Sequence, residues 1–136
     1  MKKAVFLPIL VLMVLSFENT FSQNVTPPVD VDPVAKALDG FHEIIHPIWH
    51  KAYPAKDIEA LKGFVPQIKT AMEAVNKVTL PEALKSKEAD WKKQLSVFNK
   101  AAEAYYAAAK GESNEAMLKA ASDLHLQYEI TQSVIR

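Results

Sequence analysis

Residues 57–78 read DIEALKGFVPQIKTAMEAVNKV. Within them Ile58, Leu61, Val65, Ile68, Met72 and Val75 follow one another at spacings of three, four, three, four and three. An α-helix turns about 100° per residue, so these six side chains share one face as an apolar stripe. A half-buried strand would alternate every second residue, and this stretch does not. The spacing predicts an amphipathic helix that buries one face against other helices.

The same test, carried outward, finds three more stripes. Upstream, Val34, Leu38, Phe41, Ile45, Ile48 and Ala52 form a first helix, with Asp32 as its N-cap, Pro33 in its first helical position and Pro54 at its end. Downstream, a third helix from Pro81 to Lys110 carries Leu84, Trp91, Leu95, Phe98, Ala102, Tyr105 and Ala109, and Gly111 is expected to close it in a left-handed cap. A fourth starts near Ser113 or Asn114 and carries Met117, Ala121, Leu124, Tyr128 and Ile135. Four such seams joined by short connections predict an all-α fold, an antiparallel up-down-up-down four-helix bundle over residues 33–136. Pro47 and Pro66 should kink the first and second helices at similar depth.

What precedes residue 33 reads differently. Lys2 and Lys3 lead into an apolar stretch from Ala4 to Leu15, too short for the ~20 residues of a membrane-spanning helix. Thr20, Phe21 and Ser22 then offer the small–x–small pattern of a signal-peptidase site. Residues 1–22 are therefore expected to be a signal peptide and residues 23–32, with Pro27 and Pro28, an extended linker. The expected location is periplasmic or secreted, with no stable membrane insertion after cleavage. The chain has 136 residues, 16 basic and 16 acidic, and no cysteine. Balanced charge gives no electrostatic reason to expect nucleic acid as a partner. Without cysteine, disulfides, thiolate nucleophiles, iron–sulfur clusters and covalently attached haem are excluded.

Chemistry concentrates in the histidines. Three of the four lie in residues 41–50, FHEIIHPIWH, as His42, His46 and His50. On a helical wheel His42 stands about 80°, His46 about 120° and His50 about 160° from the centre of the first stripe. The fourth, His125, stands about 80° from its own stripe, on the same flank as His42. Both take the position of a heptad that faces its counterpart across an antiparallel seam. If Pro33 is level with Arg136, His42 faces residue 127 and His46 faces residue 123, with His125 between. His42, His46 and His125 are thus expected to converge at the seam of the first and last helices, with Glu129, Glu43 or water completing a metal shell. Three imidazoles and a carboxylate suit a transition-metal ion, zinc or copper above all, rather than calcium or magnesium. The partner would be the metal ion itself, and the role binding, buffering or sensing. A pH-sensitive patch on a ligand-free adaptor or chaperone bundle is the alternative without an ion.

Two resemblances bear on these residues. His42-Glu43-Ile44-Ile45-His46 resembles the H-E-x-x-H of zincin peptidases, which implies His42 and His46 as zinc ligands and Glu43 as the catalytic base. The chain departs from the extended metzincin pattern, with Trp49 and Ala52 where glycine and histidine would stand. It also offers no strand to align a substrate. At the level of architecture, the expected bundle resembles exported four-helix bundles of the cytochrome b562 and cytochrome c′ type. That resemblance implies non-covalent haem b held by His125 with His42 or His46, flanked by Phe41, Trp49 and Tyr128, and an electron-transfer role.

Overall fold

The computed structural model describes residues 32–136, so the signal peptide and nearly all of the linker lie outside the described residues. Those residues are mostly helical, and no strand occurs among them. The order is α1 (Pro33–Pro47), a π-helical turn (Ile48–Ala52), α2 (Ile58–Gly63), α3 (Val65–Asn76), a 3₁₀ segment (Glu82–Lys87), α4 (Glu88–Lys110) and α5 (Asn114–Val134). None of the described helices is long and apolar enough to cross a membrane.

Side chains set the starts of three helices. The Asp32 carboxylate accepts the Val34 N–H at 2.9 Å, and Pro33 occupies the first turn, as the sequence requires. Asp57 accepts the Ala60 N–H at 3.0 Å ahead of α2, and Ser113 accepts the Ala116 N–H at 3.1 Å ahead of α5. These bonds satisfy backbone donors that no helical carbonyl can reach. The ends differ from expectation at Gly111, which is extended (φ −87°, ψ 179°) rather than left-handed. The Ser113 cap follows two residues later, and an extended Gly111 hands the chain straight to it. The positive-φ residue among those described is Lys56, in the turn that follows Pro54.

The core follows the stripes. All six apolar positions of the first stripe are buried. Leu61, Ile68, Met72 and Val75 from the second, Trp91, Phe98, Ala102 and Tyr105 from the third, and Met117, Ala121, Leu124 and Tyr128 from the fourth join them. At their centre Phe41 meets the edge of Phe98 (ring centroids 4.9 Å apart) and stacks on Tyr128 (5.5 Å). Helix α4 packs most extensively along α5, and α1 along α3, with α3 also against α4.

Two prolines reshape the expected helices. The second stripe is split: the helix breaks at Phe64, and Pro66 sits in the first turn of α3. The freed carbonyl of Leu61 accepts the Phe64 N–H at 3.2 Å and the buried Tyr105 hydroxyl at 2.6 Å. Pro47, by contrast, stays helical (φ −67°, ψ −29°), and the chain continues from it into the π turn. There the Tyr53 N–H donates to Ile48 O at 2.8 Å, five residues back. The third helix also begins later than expected, its first turns after Pro81 being the 3₁₀ segment.

Candidate functional site

The close backbone contacts of α5 with the first helical segment are made chiefly through the π turn. Beside α1 proper, large side chains span the gap, which sets the helices farther apart there. Along this seam lies a cavity of about 410 Å³. All four histidines of the chain line it: His42 and His46 from α1, His50 from the π turn and His125 from α5. The rim also holds Glu129, Asp39 and Arg136.

The rings form a chain of contacts. The His42 ring centroid lies 5.7 Å from that of His46, which lies 4.5 Å from that of His50. His42 also lies over Tyr128 at 5.9 Å, one residue from the position the sequence register set opposite it. His125 stacks flat on the Trp49 indole, with centroids 4.0 Å apart and planes 9° apart, and Trp49 in turn stacks on Tyr53 at 4.7 Å. The histidine on α5 is thus stacked on one indole of the first segment, which Tyr53 backs in turn.

Burial and charge act on His125 in opposite senses. Its side chain is only 17% exposed, and its Nε2 lies 3.9 Å from Glu129 Oε1. Burial pushes its pKa below the ordinary 6.5, the Glu129 carboxylate pulls it up, and His50 and His42 push it down again. The net lowering favours the neutral ring, the form that binds a metal or accepts a proton. The other three histidines are exposed.

Of the residues singled out in the sequence, His42, His46, His125 and Glu129 come together on this cavity, with Trp49 and Tyr128 beside them. Two do not. Glu43 is exposed and outside the cavity lining, because its neighbour His42 takes the flank facing α5. An H-E-x-x-H reading therefore has its base off the cavity, and no described strand to align a substrate. Phe41 is fully buried in the aromatic core, not at a haem edge. The expected convergence on one point also needs correcting: among the described residues no group of three or more His, Asp or Glu side chains stands as a ready-made ion shell. The side chains share a cavity without being set around one point.

His50 is the cavity residue that the wheel leaves out of the candidate ligands: it is exposed, as its place farthest from the stripe requires, and it lines the cavity as well. The signal was present in the regular four-residue spacing of His42, His46 and His50 together with the proline inside it. No family model, curated protein or solved structure matches the chain.

Proposed function

We propose that this protein binds a transition-metal ion, zinc or copper, through His42, His46 and His125, with Glu129 or water completing the shell. The scaffold we propose is an antiparallel up-down-up-down four-helix bundle in which α2 and α3 together make one bent second helix. Export by the leader at residues 1–22 would place it in the periplasm or outside the cell, as a metal-binding, buffering or sensing protein. The observation that carries this reading is that imidazoles from positions 42, 46 and 125, some 80 residues apart in the chain, line one cavity.

Chemistry supports it further. Imidazole nitrogen is a common ligand for zinc and copper, and the largely buried His125 sits on the cavity with burial favouring its neutral form. His42 and His46 are exposed, so their rings can reorient on a picosecond-to-nanosecond timescale at little cost. The stack on Trp49 restrains His125, so closure moves the α1 histidines towards it.

The test is calorimetric titration of purified protein with Zn²⁺ and Cu²⁺, together with melting curves. One ion per chain and a melting temperature that rises with metal concentration are expected. His42→Ala and His125→Ala should each weaken binding at least ~10-fold, by analogy with losses around known sites. A wild-type protein that takes up neither ion, or variants that retain it at full affinity, would overturn the reading.

A further inference from the structure

We infer that His50 is the fourth imidazole of this shell, delivered by the π turn, and that Glu129 stands outside the shell as the carboxylate that orients His125. This inference rests on the metal-binding reading above and refines its ligand set and its selectivity.

The geometry runs from Pro47. Proline has no N–H to return to the carbonyl four residues earlier, and its ring crowds that carbonyl. The chain answers with a wider turn, in which Tyr53 N–H bonds Ile48 O five residues back. A wider turn rotates less than the α-helical ~100° per residue. On an unbroken α-helix His50 would stand about 40° beyond His46, away from α5. The wide turn takes back part of that rotation and sets His50 beneath His46, with ring centroids 4.5 Å apart. The same turn seats Trp49 flat on His125. One backbone irregularity thus adds a histidine to the cavity and fixes another.

Glu129 is placed for a different task. Its carboxylate oxygen lies 3.9 Å from His125 Nε2, beyond hydrogen-bond reach, so it would close on that nitrogen only as the ring settles on the ion. A carboxylate beside one ring nitrogen fixes the tautomer and leaves the other nitrogen for the ion, the usual outer-shell arrangement for ligating histidine. Four imidazoles without an oxygen donor from the protein favour copper(II) and then zinc, and discriminate strongly against manganese, magnesium and calcium.

The full chain is titrated with Cu²⁺, Zn²⁺ and Mn²⁺, and the copper form is studied by electron paramagnetic resonance. The wild type should bind Cu²⁺ tightest and Mn²⁺ not measurably, with hyperfine lines from four nitrogens. His50→Gln should show three nitrogens and bind Cu²⁺ at least ~10-fold more weakly. Glu129→Gln should keep four nitrogens and lose less affinity than His50→Gln. His50 and Glu129 are both exposed, so circular dichroism should be unchanged in either variant. An unaltered nitrogen count and affinity in His50→Gln would overturn the inference while leaving the three-histidine site standing. A larger loss in Glu129→Gln would make the carboxylate the fourth ligand and overturn it too. A wild type that binds none of the ions would remove both the site and this refinement of it.

Discussion

Pro47 and Pro66 each lack a backbone donor, and each interrupts a helix that carries an unbroken apolar stripe, yet they end in opposite places. At Pro66 the helix parts, and the break is sealed from inside: Tyr105, from α4, gives its hydroxyl to the Leu61 carbonyl, and both residues are fully buried. At Pro47 the helix stays whole and widens, and the consequence appears on the surface, where His50 and Trp49 swing onto the cavity. The difference teaches how to read an interruption. One whose orphaned backbone group is met by a core side chain serves stability. One that instead leaves polar side chains beside a cavity is where the proposed site would gain its ligands.

The contrast can be broken by substitutions on each side. The largest effect is expected from Leu61→Ala at the sealed break, which should cost 2–5 kcal/mol in urea denaturation, roughly what a fully buried leucine contributes with its cavity. Tyr105→Phe should follow at about 1 kcal/mol, because the Leu61 carbonyl keeps its bond from Phe64. Neither should move metal affinity by more than twofold once the protein is folded. On the other side Trp49→Leu keeps apolar bulk but loses two stacked contacts, about 0.5–1 kcal/mol. Its main effect should be on the ion, through a His125 ring no longer held in place. If Tyr105→Phe weakened zinc binding as much as Trp49→Leu did, the division between the two interruptions would collapse.

Periodicity made much of this legible. The first stripe is buried at every position because burial of an amphipathic helix depends on local spacing alone. His42 and His125 were traceable to one seam for the same reason: both lie within a turn of well-phased apolar residues. The break at Phe64 was hidden because Leu61, Val65 and Ile68 keep their spacing across it. A stripe records which face is buried, and it is silent on whether every backbone bond is made. The place of His50 on the cavity is hidden by the reverse effect. Its spacing is regular, but the backbone beneath it changes pitch, and a wheel drawn at one pitch rotates it away from its neighbours. Gly111 misled because a glycine after a helix permits a left-handed cap without requiring one, and the nearby Ser113 cap decided the outcome.

The smallest expected effect is on the pH dependence of stability, and it separates the two regions in kind. In the metal-free protein burial holds the pKa of His125 below the 6.5 of an unfolded histidine, with Glu129 opposing and His50 and His42 assisting. The unfolded chain then binds a proton at His125 more readily than the folded one. That contribution to stability is fully present above pH 6.5 and is lost as pH falls through the depressed folded value. At the Pro66 break the buried Tyr105 behaves otherwise: burial drives its ionisation far above neutrality, so it stays uncharged and contributes no slope there. Urea midpoints measured with chelator between pH 7.5 and 5 should therefore fall less steeply in His125→Gln than in wild type, whereas Tyr105→Phe should lower the curve without changing its slope. Equal slopes in wild type and His125→Gln would mean that the stack on Trp49 does not exclude water from the ring. His125 would then be an ordinary solvated histidine, and the wide turn after Pro47 would lose half of what distinguishes it from the break at Phe64.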